Sequence, residues 1–168
     1  MSKGIEKLRE EYNLIKKNDS LREIKGTADP INGDFYHWKA SFIGPEDTPY
    51  MDGLFILEMK FSQNYPYEGP LVQMRTPIFH PNIDSQGNIR VEYLKNWKKD
   101  YDINGIIHAI FYLLYNPNFM DVKMDKEALF REPIKMYKKY ATENQSYNWD
   151  IMIIIFIYFM NFLSSINN

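Results

Sequence analysis

The first seventeen residues carry a helical pattern of apolar positions. Ile5, Leu8, Tyr12 and Ile15 recur at steps of three and four residues, which places them on one face of an α-helix. The positions between them are mostly charged or polar. The pattern therefore predicts an amphipathic helix over residues 1–17 that covers a sheet with its apolar face.

Four strand-like segments follow this helix, and turn-forming residues separate them. In chain order they are LREIKGTAD, FYHWKASFI, LFILEMKF and LVQMRTPIF. Alternation in the second and third segments provides one buried face and one wetter face. The short connections favour antiparallel neighbours, and Asn32-Gly33 fits a tight hairpin. We therefore expect a four-stranded antiparallel meander.

The period of the pattern changes to helical after Trp97. Six apolar residues fall in helical register, namely Ile103, Ile106, Ile107, Ile110, Leu113 and Leu114. They predict a buried central helix that packs on the sheet and ends at Asn116-Pro117. A further helical region follows, in which Pro133 suits the first turn of a final helix that runs to about residue 143. These elements predict an α+β domain over residues 1–143.

Residues 144–168 form a tail of different composition. Residues 151–163 are almost wholly apolar, with Asn161 among them. A helix of that length spans ~20 Å, which is less than the ~30 Å hydrocarbon core of a bilayer. Three interpretations stay open: a short membrane anchor, a helix packed on the domain or on a partner, and a translated noncoding segment, which the Ile, Phe, Tyr and Asn bias would fit.

The composition limits the classes of function. The chain has 168 residues, 45% of them hydrophobic and 25% charged, which suits a globular domain. A net charge of −2 argues against a nucleic-acid binder driven by phosphate attraction. The chain has no cysteine, which excludes disulfides and thiolate sites, and its three histidines lack the spacings of metal motifs. We expect no metal, no cofactor, no signal peptide, and a cytoplasmic or nuclear location.

Several motifs occur in a fixed order along the chain. They are FYHWKASFIGPEDTPYMDGLF, YPYEGP, IFHPNIDSQGNI, LKNW and LLYNPN. In this order, and at nearly this spacing, they resemble the ubiquitin-conjugating enzyme family over roughly residues 1–141. Each motif alone has a structural interpretation, since prolines and glycines set turns and a tryptophan such as Trp97 suits packing. Together they imply the fold of that family and a place in ubiquitin or ubiquitin-like conjugation.

Arg90 stands at the position of the family's nucleophile. The resemblance aligns the residue after Ile89 with the cysteine that carries ubiquitin as a thioester. A thiolate is required there, because it exchanges acyl groups and leaves readily. A guanidinium stays protonated and presents only donors, so it can hold an anion but cannot form a thioester. With no cysteine elsewhere in the chain, we expect no competent catalytic site.

Three polar residues belong to the same resemblance. Asn82 matches a flap asparagine that resembles an oxyanion-type donor, and without a thioester we expect it to bond the backbone instead. His80 is expected to be a structural hydrogen-bonding residue rather than a general base. Asn116 stands where active members often carry an aspartate that orients or deprotonates the incoming lysine, and an amide cannot act as a base.

Positions that contact partners in the family are also altered. Basic residues of the family's first helix help to contact the activating enzyme, and the helical register places Glu6, Lys7 and Glu10 there. Two acidic residues would weaken attraction to an acidic partner, although an ordinary solvated helix face explains them as well. On the surface that contacts ligases, Tyr67 matches the family's aromatic residue. Lys98-Lys99 replaces a Ser-Pro on the same surface.

Three hypotheses for the function remain open. The first is a non-catalytic family member that binds ubiquitin or a ubiquitin-like protein, an active conjugating enzyme or a ligase. Arg90, Asn116 and a C-terminal region shorter than in active members support it. The second is an active conjugating enzyme whose cysteine has been exchanged for Arg90. The third is a membrane-attached adaptor outside ubiquitin transfer, which residues 151–163 motivate.

Overall fold

The order of elements runs from helix to sheet and back to helix. The computed structural model describes residues 3–78 and 80–118. Its elements are α1 (Lys3–Asn18), a 3-10 helix (Arg22–Ile24), β1 (Thr27–Ile31), β2 (Asp34–Ile43), β3 (Leu54–Lys60), β4 (Leu71–Met74), α2 (Glu92–Lys95) and α3 (Ile103–Tyr115). The expected domain boundary at residue 143, the C-terminal helices and the apolar tail lie outside the described residues.

The predicted four-stranded antiparallel meander is confirmed. The strands lie in the order β1-β2-β3-β4, and each pairs antiparallel with the next. Asn32 and Gly33 both have positive φ, at 53° and 76°, as a two-residue hairpin of type I′ requires. The longer connection from β2 to β3 is closed by a hydrogen bond of 2.8 Å from Gly44 N to Gly53 O.

The first predicted strand begins later than its sequence pattern indicated. Residues 22–24 form a 3-10 helix, so the strand runs only from Thr27 to Ile31. Leu21 and Ile24 are both buried, and their spacing of three suits a 3-10 turn rather than alternation. Lys25, at φ 48°, then turns the chain into β1. Local turn hydrogen bonds, including Gly26 N to Leu21 O at 2.8 Å, prevail over the strand preference.

The fourth strand is shorter than predicted, because a side chain takes over hydrogen bonds to β3 that the strand backbone would otherwise form. Of the segment expected over residues 71–79, the strand covers Leu71–Met74, and residues 75–78 lie outside it. Thr76 Oγ1 accepts a hydrogen bond from Ile56 N at 2.9 Å and donates to Leu54 O at 3.1 Å. Pro77 follows and has no backbone N–H to continue the pairing.

The core lies between one face of the sheet and the two long helices. All six apolar residues predicted for the central helix are buried in α3. Phe111 of α3 meets Phe42 of β2 edge to face, with ring centroids 5.9 Å apart. Leu8 and Ile15 of α1 join the same cluster, and each buried side chain of this size contributes about 1.5–3 kcal/mol.

The described helices differ from a membrane anchor in length and apolar content. Among residues 3–78 and 80–118, no helix is long and apolar enough to cross a bilayer. Residues 151–163, which motivated the membrane interpretation, lie beyond this part of the chain, so the hypothesis of an anchor stays a prediction.

Candidate functional site

The loop that carries Arg90 is held as a rigid flap against the sheet. Single β-bridges join His80 to Ile83, Ile83 to Ile89, and Asn88 to Gln73 of β4. The Arg90 backbone N–H donates to Asn82 O at 2.8 Å, which closes the two ends of the flap on each other. The position of Arg90 is therefore determined by backbone bonds and not by its own side chain.

The tip of the flap is a closed turn built on Asp84. Asp84 Oδ1 accepts hydrogen bonds from the backbone N–H groups of Gln86 and Asn88, both at 2.9 Å, and Oδ2 accepts from Asn88 Nδ2 at 2.9 Å. Burial raises the pKa of Asp84. The bonds from Asn88 and Gln86 and the nearby charge of Arg90 together outweigh burial, so the pKa lies below its ordinary value. The carboxylate is thus ionised and already occupied by its own turn.

Glycine is required at position 87 of this turn. Gly87 has φ of +81°, and a Cβ there would lie 2.1 Å from Met74 O. Gly87 O in turn accepts a hydrogen bond of 2.8 Å from Met74 N. The flap can approach β4 this closely only because position 87 has no side chain.

His80 is buried, and both of its ring nitrogens are occupied. Nε2 lies 3.0 Å from Leu113 O, and Nδ1 accepts a hydrogen bond from Asn82 N at 3.1 Å. These partners match a neutral imidazole with its proton on Nε2. Burial lowers the pKa of His80 to about 4, although the bond to Leu113 opposes this shift. His80 holds the flap to α3 and has no free nitrogen with which to accept a proton from a substrate.

Asn82 is bonded to the backbone beyond α3. Its Nδ2 donates to Asn118 O at 2.7 Å, and its Oδ1 accepts from Asn118 N at 2.9 Å. Both functional atoms of the amide therefore have a main-chain partner. The geometry places Asn82 as a connection between the flap and the segment after α3.

Asn116 caps the C-terminal end of α3. Its backbone N–H donates to Tyr112 O at 2.7 Å, and the residue is exposed. Within residues 3–78 and 80–118, no hydrogen bond joins its side chain to His80, Asn82 or Arg90. The structure therefore places Asn116 near the flap's anchor point in Asn118 without bonding it to the flap.

Arg90 itself is half-buried, and its guanidinium has no bound partner in the described part of the chain. No salt bridge or hydrogen bond of that side chain occurs there; only its backbone N–H is engaged. The hydrogen bonds of Asn88 and Gln86 lower the pKa of Asp84, and the charge of Arg90 adds a smaller contribution in the same direction. Among residues 3–78 and 80–118, the flap thus presents at its base a positive charge without a hydrogen-bonded or ion-paired partner.

The three α1 positions predicted to contact an activating enzyme differ in availability. Glu6 and Glu10 are exposed. Lys7 is half-buried, and its Nζ lies 3.7 Å from Glu11 Oε1. The exposed charges at these positions are therefore acidic, and the single basic residue is drawn toward Glu11.

The positions predicted to contact a ligase lie on two neighbouring loops. Tyr67 is 76% exposed, and the residue before it, Pro66, accepts a hydrogen bond of 2.7 Å from Trp97 Nε1. Lys98 Nζ lies 5.8 Å from the centroid of the Tyr101 ring, and Lys99 is exposed. The bond between Trp97 and Pro66 brings an exposed aromatic residue and two lysines onto adjoining loops.

Glu11 is a polar residue of the core that the sequence reasoning missed. It is 3% exposed, accepts a hydrogen bond from the Tyr65 hydroxyl at 2.7 Å and accepts another from Ile103 N at 3.0 Å. Burial raises the pKa of Glu11, while its bonds to Tyr65 and Ile103 oppose the rise. The sequence signal that could have identified Glu11 is its place on the apolar face of α1, in helical register with Leu8 and Ile15.

Aromatic rings extend the Glu11 contacts to the second loop. Tyr65 packs 5.8 Å from Trp97, and Tyr93 stacks on Tyr101 with centroids 3.9 Å apart. The Tyr93 hydroxyl accepts a hydrogen bond from Asp102 N at 3.2 Å, just before α3 begins. Through these contacts, α1 packs together with the two loops that carry Tyr67 and Lys98.

A metal centre is absent from the part of the chain that the structure describes. No group of three or more His, Asp or Glu side chains gathers there in a way that could hold an ion.

Comparison with known proteins bears on this arrangement of flap, sheet and central helix. The model of the family described as ubiquitin-conjugating enzyme matches residues 7–148. The chain belongs to the ubiquitin-conjugating enzyme family. The structure of human ubiquitin-conjugating enzyme E2 G1 is similar to this one, with a TM-score of 0.63 and 27% identity, covering 70% of this chain and 98% of the human one. The family's conjugation of ubiquitin is thus the pathway to which this chain is assigned.

Proposed function

We propose that this chain is a non-catalytic member of the ubiquitin-conjugating enzyme family. It binds ubiquitin or a ubiquitin-like protein, an active conjugating enzyme or a ligase, and carries no modifier as a thioester. The observation that carries the proposal is Arg90 at the nucleophile position in a chain without cysteine. An always-protonated guanidinium can neither attack an activated carboxyl group nor leave from an acyl group.

The environment of Arg90 supports this proposal. Asn82 is bonded to the backbone of Asn118, and His80 is buried, neutral and bonded at both ring nitrogens, so both side chains support the framework of the flap. A rigid flap without a nucleophile is suited to binding. In this interpretation the flap has kept its shape, while its covalent chemistry has been lost.

The partners that we propose follow from the two candidate surfaces. Tyr67 and the neighbouring Lys98-Lys99 form a surface of one exposed aromatic ring and two positive charges, which suits a ligase or another conjugating enzyme with acidic residues. On α1, the negative charges of Glu6 and Glu10 would weaken the binding of an activating enzyme whose contact surface is acidic. The chain would act in the cytoplasm or nucleus, where conjugating enzymes work without disulfides.

Two experiments test the proposal with the full chain. In the first, the protein is incubated with activating enzyme, ATP and ubiquitin, beside an active conjugating enzyme as control. We expect no thiol-sensitive adduct on this chain, and a reducible adduct would contradict its non-catalytic status. In the second, the immobilised protein is exposed to purified ubiquitin, active conjugating enzymes and ligase domains. If none of the three is retained, the binding role is wrong.

Attachment to a membrane is the competing candidate, and the apolar run of residues 151–163 favours it. Fractionation of cells that express the full chain, or a chain ending at residue 147, separates the two. Loss of membrane association on truncation would support an adaptor with an anchor. Recovery of both forms in the same fraction without membranes would contradict it.

A further inference from the structure

The side of α3 that points away from the core carries no charged residue. The helix has 13 residues, and none of them is Asp, Glu, Lys or Arg. Its six buried residues lie on one side, and the opposite side, here called the outward face, presents His108, Tyr112 and Tyr115. Tyr112 and Tyr115 are 60% and 52% exposed. A helix without charge on any side is typical of the interior of a protein.

The first helix shows how a solvated helix face looks in the same protein. Its outward side carries Glu6, Glu10 and Lys17, and all three are exposed. Both helices bury their other side in one core cluster. The difference between them therefore lies in what meets the outward side. Tyrosine, with an apolar ring and a polar tip, suits a surface that another segment covers.

Residues 151–163 share this lack of charge. The run IMIIIFIYFMNFL contains no Asp, Glu, Lys or Arg. As a helix it would be ~20 Å long, which equals the length of α3 and is less than the ~30 Å hydrocarbon core of a bilayer. Residues 121–139 are rich in charge, so they need burial on one side at most. Residues 151–163 need burial on nearly all sides.

Asn161 and the length of the chain agree with a position on α3. In hydrocarbon the side-chain amide of Asn161 would have no partner, which costs free energy. Beside Tyr112 and Tyr115 it would meet hydroxyl groups that can both donate and accept. Residues 119–150 lie between α3 and the run. Since an extended residue spans ~3.3 Å, a small part of this connection reaches along the whole of α3.

We propose that residues 151–163 pack over the outward face of α3, against Tyr112 and Tyr115, within the same chain. Burial of one uncharged surface by another drives the contact. The core helix is then covered on both sides, and the apolar run is withdrawn from lipid. The contact is independent of the partner that the domain binds, and it excludes the use of this run as a membrane anchor.

Disulfide cross-linking of the full chain tests the contact, because the chain has no cysteine of its own. Tyr112→Cys is combined with a single cysteine that is moved one position at a time through residues 151–163. A disulfide forms only where the two Cα atoms come within ~7 Å. After mild oxidation of dilute protein, non-reducing gels and mass spectrometry should show intrachain disulfides at few positions, on the side of the run that faces α3.

Tyr67→Cys with the same set of cysteines is the matched control. Tyr67 is 76% exposed, on a loop away from α3, and it should give no intrachain disulfide. Equal yields from Tyr112→Cys and Tyr67→Cys would show random collisions of a loose tail and would overturn the proposal. Absence of cross-links from Tyr112→Cys would overturn it as well. Cross-links that form only between chains would assign the contact to a second copy.

The reactivity of a single thiol gives a second measurement on the full chain. Tyr115→Cys should react with N-ethylmaleimide about tenfold more slowly with the natural run than with Ile154→Asp and Ile157→Asp added, because a covered thiol reacts only when the packing opens. Tyr67→Cys should react equally in both backgrounds. Equal rates for Tyr115→Cys would contradict the contact, and a changed rate for Tyr67→Cys would show misfolding, in which case the cross-links decide.

Phosphatidylcholine vesicles distinguish the contact from an anchor. The cross-linking pattern of Tyr112→Cys should be the same with and without vesicles, and the protein should stay in the fraction without lipid. Flotation of the full chain with the vesicles, together with loss of the Tyr112→Cys cross-links, would assign residues 151–163 to the membrane and overturn the proposal.

Discussion

The side-chain amide of Asn82 forms two hydrogen bonds with the backbone of Asn118, 36 residues further along the chain. One bond is donated and one is accepted, so an amide is the side chain that satisfies both backbone groups. The pair joins the flap to the segment that follows α3. A residue that resembles an oxyanion donor in the family is thus part of the framework here.

Asn82→Ala is expected to lower the free energy of unfolding by about 1–3 kcal/mol. The change removes both of the hydrogen bonds that connect the flap to the backbone of Asn118. Urea denaturation of the two proteins measures the difference. Gln86→Ala, at an exposed position of the same flap, serves as control and should change stability by less than about 0.5 kcal/mol. Equal stability of Asn82→Ala and the natural chain would contradict a structural role for this amide.

His80 is expected to make the protein less stable in mild acid. Burial lowers the pKa of His80 from 6.5 to about 4, so between these values the unfolded chain binds a proton that the folded chain excludes. Stability is therefore lost as pH falls from 6.5 toward 4, by up to ~3 kcal/mol from this residue. The stability difference between the natural chain and His80→Gln, measured in urea at several pH values, should shrink over this range. A constant difference would show that His80 titrates normally.

Glu11 is expected to change the dependence of stability on pH in the direction opposite to His80. Burial raises the pKa of Glu11 above 4.5, so the folded chain binds a proton more readily than the unfolded chain. Its ionised form costs stability above the raised pKa, and that cost disappears as pH falls toward 4.5. Glu11→Gln keeps the shape and can still bond Ile103 N, but it lacks the titration. Relative to this variant, the natural chain should gain stability as pH is lowered.

Glu10→Gln is the matched control for this prediction, because Glu10 is the exposed neighbour of Glu11 on the same helix. It should leave the dependence of stability on pH nearly unchanged. If Glu10→Gln and Glu11→Gln have the same effect, the buried carboxylate is not the source of the dependence.

Acidic residues on α1 are expected to limit loading even when a nucleophile is supplied. Arg90→Cys provides a thiol, but Glu6 and Glu10 should slow its encounter with an activating enzyme that prefers basic residues. Adding Glu6→Lys and Glu10→Lys should raise the rate of formation of a reducible ubiquitin adduct about tenfold at low salt, and less at high salt. Non-reducing gels over time measure this rate.

Glu23→Lys in the exposed 3-10 helix is the control for the total charge of the protein. It should not raise the rate of loading of Arg90→Cys. If Arg90→Cys alone is loaded as fast as an active family member, the acidic residues of α1 have no bearing on the activating enzyme.

Much of the fold could be predicted because its signals are local. The apolar face of α1, the alternation of β2 and β3, and the six apolar residues of α3 each follow from the period of one element. The beginning of β1 and the end of β4 could not be predicted in this way. They depend on bonds between separate segments, such as that of Thr76 with Leu54 and Ile56.

The site shows the same division. The sequence by itself determined that no thioester can form, because nucleophilicity belongs to the side chain and the chain has no cysteine. Only the tertiary structure decided that Asn82 is bonded to Asn118 and that Glu11 meets Tyr65 and Ile103. It alone decided that, in the described part of the chain, no carboxylate pairs with the Arg90 guanidinium and that Asp84 is bonded within its own turn, because the partners of a charge are determined by which distant groups the fold brings near it.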